Sequence, residues 1–213
     1  MTTVILVRHG YSTANKDGIF AGNYDADLDE KGIIQALRTA KYISENYKVD
    51  KVYARDLKRA YKTGMAIADE TGTEIIPDNR LREINAGKWD GVLFDNLIKL
   101  FPEDFLVWQE DISNAKCTDG ESVKELAERV MGAVTEMAEK NDGKVIVIAS
   151  HATPIRVFEC LVKTGDLTRL NEINWVSNAS VSVYTYDKNI WSANLISFDE
   201  HLKDIRTTLP ARV

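Results

Sequence analysis

Val4-Ile5-Leu6-Val7-Arg8-His9-Gly10-Tyr11-Ser12-Thr13-Ala14-Asn15 changes character in its middle. The first four residues are apolar, two of them Val and one Ile, which reads as a strand covered on both faces, as in a parallel sheet. Arg8 and His9 continue a core strand poorly, and Gly10 predicts a sharp turn of the backbone. A strand that ends in a charge, an imidazole and a glycine stands where open α/β sheets bind ligands. Taken alone, the tripeptide fits two readings: Arg8 capping a strand with His9 satisfied in a turn, or a functional strand end. The rest of the chain has to choose between them.

A second run of the same kind is Lys144-Val145-Ile146-Val147-Ile148-Ala149, ending in Ser150-His151. A helix follows it, with Pro154 near the first turn and Ile155, Phe158, Leu161 and Val162 facing inward. Between the two runs, Ile33, Ala36, Leu37, Ala40, Ile43 and Tyr47 predict a helix over 30–47, and 51–54 reads as a short strand. Asp56 is the expected N-cap of the next helix, whose inner face is Leu57, Ala60, Gly64, Ile67 and Ala68, and which Gly72 stops. Residues 74–76 are another short strand, and 92–115 are short helices rich in large apolar groups. Asp119-Gly120-Glu121-Ser122 precedes a strong helix. Residues 180–187 and 190–198 alternate as a hairpin turning at Asp187-Lys188-Asn189, and the polar tail from 199 is expected on the surface.

Strands alternating with helices imply an α/β fold: a three-layer αβα sandwich with a mostly parallel central sheet, antiparallel at one edge. The 213 residues suit a single domain, 1–213, with a short helical cap insertion at about 92–118. The net charge of -6, with dispersed Lys and Arg, argues against nucleic acid. No segment approaches a membrane span or a signal peptide. Cys117 and Cys160 form no CxxC pair and read as free thiols of a cytoplasmic protein, Cys160 in an apolar helical pattern. Asp25, Asp27 and Asp29 fail as a calcium loop, because Glu30 stands at the glycine position and Ala36 at the bidentate acid. A homodimer is left open.

In a parallel sheet His9, His151, Arg8 and Arg59 share one edge, with helix N-termini pointing at the gap. Two imidazoles and two guanidiniums suit a compact dianion, most simply a phosphoryl group. Arginines there would repel a metal ion, and no short-spaced ligand motif is present. No metal or other cofactor is called for. Covalent catalysis fits better: a neutral imidazole nitrogen attacks phosphorus in line with the leaving oxygen. Arg8, Arg59 and His151 then neutralise the equatorial oxygens. The leaving alkoxide needs a proton, for which Glu83 is the best-placed acid.

Val7-Arg8-His9-Gly10, Asp56-Leu57-Lys58-Arg59-Ala60, Leu81-Arg82-Glu83-Ile84 and Ser150-His151 occur in the order that resembles the histidine phosphatase superfamily, the phosphoglycerate mutase-like proteins. Asn15, Gly22, Asp27-Leu28 with Gly32, Gly87 with Trp89 and Gly91, Gly120-Glu121-Ser122 and Asn178 extend the match over most of the chain. The resemblance implies a phosphohistidine at His9, a phosphate pocket from Arg8, Arg59 and His151, a proton donor at Glu83 and a supporting contact from Asn15. Tyr11, Ser12, Gly22 and Ala152 are expected around the same substrate. Three positions depart from the pattern: Tyr11 stands where Glu or Gln is common, Arg55 where Ser is, and Ala152 where Gly is. The first and last are expected to reshape the pocket.

Three functions compete: a metal-independent phosphatase acting on a small organic phosphate monoester, a phosphoglycerate mutase, and a non-catalytic phosphate-binding relative. A mutase must hold a small, highly anionic substrate away from water, so its cap should supply cations. No Arg occurs between Arg82 and Arg129, while Glu103, Asp104, Glu110 and Asp111 do. The acidic, aromatic cap favours hydrolysis of an ester with apolar or neutral bulk. The binding-protein reading loses because every residue the chemistry needs is present.

Overall fold

The computed structural model describes residues 1–54 and 56–207, which leaves Arg55 outside the described part. Six strands form one sheet: β1 (Thr2–Arg8), β2 (Lys51–Ala54), β3 (Ile75–Pro77), β4 (Val145–Ser150), β5 (Val181–Asp187) and β6 (Ile190–Phe198). Their order is β3-β2-β4-β1-β5-β6. β1, β4, β2 and β3 run parallel, and β5 and β6 complete the sheet as an antiparallel edge. Lys188 and Asn189 turn that hairpin with φ of 48° and 65°, the left-handed pair that tight hairpins require.

The main helices are α1 (Thr13–Asp17), α2 (Glu30–Asn46), α3 (Lys58–Thr71), α4 (Phe94–Leu100), α5 (Pro102–Glu110), α6 (Val123–Lys140) and α7 (Ala152–Thr164). The strand period of two divides the apolar run of β1 between the faces. Val4 and Leu6 pack with Ile146, Ile148 and residues of α6 and α7, and Ile5 and Val7 pack with Val52, Val147 and residues of α2 and α3. Three layers result because a strand that is apolar at every position must be covered twice. Among the described residues, no helix is long and apolar enough to cross a membrane.

Four expectations are corrected. Ile33 and Leu37 of α2 are 47% and 56% exposed, and the buried side of that helix is Gly32, Gln35, Ala36, Thr39, Ala40 and Ile43. The apolar pattern misled because Gln35 and Thr39 are buried to serve backbone groups. Gln35 accepts from the Tyr11 N–H and donates to the Ile205 carbonyl, and Thr39 donates to the Ala179 carbonyl. Gly10 is also not a left-handed turn residue. A Cβ there would lie 2.4 Å from the Gly32 carbonyl oxygen, and one on Gly32 would lie 1.9 Å from that of Tyr11. The two glycines let α2 dock directly on the backbone after His9.

The third correction concerns the start of α3. Its N-cap is Leu57, and Asp56 instead pairs with Arg82 at 2.8 Å. The Lys58 N–H is taken by Asp25 from the distant acidic loop, at 3.0 Å. Long-range capping of this kind leaves no local sequence signal. Finally, the tail is not merely a surface segment. Residues Glu200–Ile205 form a 3-10 turn that buries Leu202, and His201 stacks between Tyr42 and Phe198.

Candidate active site

The C-terminal ends of β1 and β4 lie side by side, with Arg8 in register with Ser150. The next residues, His9 and His151, are therefore neighbours: their ring centroids are 5.1 Å apart, edge to face. His9 is 4% exposed and His151 fully buried. The main chain around His9 is held from three directions. Its N–H donates to the Ser150 carbonyl, its carbonyl accepts from the Ala179 N–H and the Asn178 amide, and the Gly10 N–H donates to Thr63 on α3.

His9 Nδ1 lies 2.7 Å from the Gly10 carbonyl oxygen. A carbonyl can only accept, so Nδ1 carries the hydrogen in the neutral ring and the lone pair sits on Nε2. Sequence spacing does not reveal this fixed tautomer.

Both arginines are buried, Arg8 to 3% and Arg59 to 1% exposure. Arg8 donates from Nη1 to the Val176 carbonyl at 2.6 Å, while its buried Nε has no protein partner. Burial brings the Arg8 pKa down to about 10, the Glu83 carboxylate opposing and Arg59 adding to the shift. It still leaves the group charged at neutral pH. Arg59 donates to the carbonyls of Tyr24, Ala21 and Gly22 at 2.7, 2.8 and 3.2 Å, and burial lowers its pKa too. Backbone dipoles thus hold both cations in place without neutralising them.

These groups line a cleft of about 630 Å³. Tyr11, Ser12, Asn15, Glu83 and Ala152 also line it. Glu83 accepts from the Ile84 N–H at 2.9 Å and from the Thr153 N–H, in the first turn of α7, at 3.4 Å. Ser12 is the fully buried N-cap of α1, and its hydroxyl is engaged with Asn15. The Asn15 side-chain oxygen accepts from the Ser12 N–H, the Ser12 hydroxyl and the Asn178 amide. That leaves the Asn15 NH₂ as its donor end. Gly22 is absent from the lining and holds Arg59 through its carbonyl instead. A Cβ on Gly22 would come within 2.5 Å of the Ile84 carbonyl oxygen. His151 is buried against the His9 ring and is likewise absent from the lining.

The cap side of the cleft holds residues that the motifs did not announce. Phe20, Phe94, Trp108 and Trp175 supply aromatic surface, and the exposed Asp17 and Asp95 stand at the mouth. Trp175 stacks on Trp108 at 6.3 Å, with the Arg156 guanidinium 4.2 Å from its ring. Of the cap acids expected to exclude anions, Asp104 accepts a hydrogen bond from Thr118, and Asp111 holds Ser113 and Asn114. Those jobs are structural, and the acids of the mouth are different ones. Arg8 and Arg59 are the only Lys or Arg residues in the lining, among the described residues. No described cluster of three or more His, Cys, Asp or Glu side chains could hold a metal ion. Cys117 and Cys160 are both buried free thiols.

The chain is 34% identical over 183 residues to phosphoserine phosphatase 1 of Hydrogenobacter thermophilus, covering 86% of each chain. It is 28% identical over 204 residues to phosphoglycerate mutase-like protein 4 of Arabidopsis thaliana, covering 94% of this chain and 87% of that protein. The solved structure of Bacillus stearothermophilus YhfR superposes with a TM-score of 0.90 at 24% identity, covering 95% of this chain and all of that one. The family model of the histidine phosphatase superfamily (branch 1) matches residues 4–199, and the chain belongs to that family.

Proposed function

We propose that this protein hydrolyses a small organic phosphate monoester, without a metal ion, through a phosphohistidine on His9. The observation that carries the reading is the fixed tautomer of His9 in a cleft that two buried guanidiniums also line. A lone pair on Nε2 faces a site whose positive charge is already in place, so little reorganisation is needed as the transition state forms. His9 Nε2 bonds to phosphorus as the ester P–O bond breaks, and Glu83 in its acid form gives its proton to the leaving oxygen. Water then attacks phosphorus and passes a proton to the Glu83 carboxylate as the N–P bond breaks, releasing phosphate. Arg8 and Arg59 carry the charge of the equatorial oxygens and the Asn15 NH₂ adds a donor, while the buried His151, edge to face with His9, supports the His9 ring.

Phosphoserine, named in the 34% identical relative, is the first ester to test. The mutase reading is weaker because a second anionic group meets aromatic rings, Asp17 and Asp95 on the cap side and no cation. The test is phosphate release from a panel of monoesters. His9→Ala should lower turnover by about 10⁴-fold or more, and an alkaline quench of labelled enzyme should trap phosphate on His9. Label on another residue would overturn the nucleophile. Loss of activity in a chelator, restored by added metal, would overturn the metal-free chemistry. Mutase turnover of phosphoglycerate matching hydrolysis would overturn the phosphatase reading.

A further inference from the structure

Glu83 is the one member of the reacting set that no strand end or helix carries. It lies between two 3-10 turns, Asn79–Leu81 and Gly87–Trp89. Its carboxylate is held by the Ile84 N–H and by the 3.4 Å contact from Thr153. Proton transfer to a leaving oxygen depends on placement to a few tenths of an ångström. Something has to stiffen this loop.

We propose that Arg129, paired with Glu121, is the positioning residue for the leaving-group acid; the proposal rests on the reading of Glu83 as that acid. Arg129 Nη1 donates to the carbonyls of Arg80 and Arg82 at 2.7 and 3.1 Å, and Nη2 to that of Glu83 at 3.4 Å. Its Nε and Nη2 also meet Glu121 in a two-pronged pair at 2.9 and 2.8 Å. Glu121 in turn accepts from the Asn85 N–H at 3.0 Å, and its own N–H donates to the Asn85 carbonyl at 2.8 Å. The pair therefore grips residues 80, 82, 83 and 85, bracketing the acid on both sides.

The rest of the surroundings agree. The pair is largely shielded from water, its side chains 24% and 14% exposed. Arg129 and Glu121 line a separate cavity of about 410 Å³ that also touches Glu83, and neither lines the substrate cleft. Arg129 therefore acts on substrate only through the loop. Arg80 and Arg82 are tied elsewhere, to Asp78 and Glu136 and to Asp56. Only a planar fork with five donors can face three carbonyls and a carboxylate together; a lysine ammonium has three donors and no fork.

The experiment compares an alkyl phosphate, whose alkoxide cannot leave without a proton, with p-nitrophenyl phosphate, whose phenolate can. Arg129→Lys should lower kcat/KM, which reports formation of the phosphohistidine and not its shared hydrolysis, by about 10-fold or more for the alkyl ester and by less than about 3-fold for the aryl ester. Glu121→Gln should give the same split more weakly, and it decides the matter if Arg129→Lys does not fold. Glu83→Gln should give the largest split. Ile43→Ala, a buried change on α2 in the cluster on the other face of the sheet, should lower the melting temperature with no split. Equal losses on both esters in the Arg129 and Glu121 variants, with the split kept in Glu83→Gln, would overturn the clamp alone. No split in Glu83→Gln would overturn the acid and the clamp together.

Discussion

The two ends of the cleft are built differently. At the phosphate end, Arg8, His9, Arg59 and His151 are all less than 5% exposed and sit on strand ends or the first turn of a helix. Each of the two arginines is held by main-chain carbonyls. At the other end, Phe94, Asp95 and Trp108 belong to short cap helices, Asp17 ends α1, and Trp175 lies in irregular chain. Sheet register fixes the first end, because neighbouring parallel strands can slip only by flipping every side chain to the other face. Nothing comparable fixes the second. The proposed chemistry thus falls where geometry is over-determined, and the proposed substrate choice where loops can vary.

The comparison can be broken at its rigid end first. Arg59→Lys keeps the charge but gives up the fork on Tyr24, Ala21 and Gly22. The expected loss in kcat/KM is about 10²-fold or more for every ester. A loss confined to one ester would mean that Arg59 reads the leaving group, and the division of labour would fail.

The soft end should respond less, and selectively. Replacing Asp17 and Asp95 by Asn removes two carboxylates from the mouth. Turnover of an ester carrying a second anion, such as 3-phosphoglycerate, should rise about 3- to 10-fold relative to a neutral ester at low salt, and the gain should shrink as salt is added. An equal change for both esters would show that the mouth does not sort substrates by charge.

The smallest effect concerns the strap behind the phosphate end. Thr207 donates to Asn178, which holds the His9 carbonyl and Asn15, and Gln35 links the tail to Tyr11. His201 is half-buried between Tyr42 and Phe198, and that burial lowers its pKa from 6.5 to about 4, with a hydrogen bond to the Ala179 backbone and then Asp199 opposing the shift and Arg206 adding to it. A histidine with a depressed folded pKa stabilises the fold fully above its unfolded value and loses that contribution as pH falls from 6.5 toward 4. Over that window His201→Gln should flatten the fall in melting temperature by about 3 °C relative to the parent. Parallel curves would remove His201 from the strap.

Much of this was legible in the chain. The runs ending in Arg8-His9 and Ser150-His151 carry their meaning locally, because an apolar strand that stops at a charged residue has to stop at a sheet edge. Arg59 is legible in the same way, one helix start after a short strand. Gln35 is illegible in the sequence because a glutamine among apolar residues looks like a break in the helix face, and only the docked Tyr11 N–H explains its burial. Gly10 reads locally as a turn residue, whereas its cause is an α2 backbone 22 residues away in sequence.

The sequence alone determined the layering of the fold, the sheet edge that carries the candidate site and the residue types gathered there, since hydrophobic period and strand ends are properties of a few adjacent residues. Tertiary structure decided the tautomer of His9, the retreat of Gly22 and Ser12 into supporting roles, the acids at the mouth and the grip of Arg129 on the Glu83 loop. Each of these depends on which main-chain carbonyl or amide comes to face a side chain. Backbone groups are the same in every residue, so a sequence does not say where they will meet.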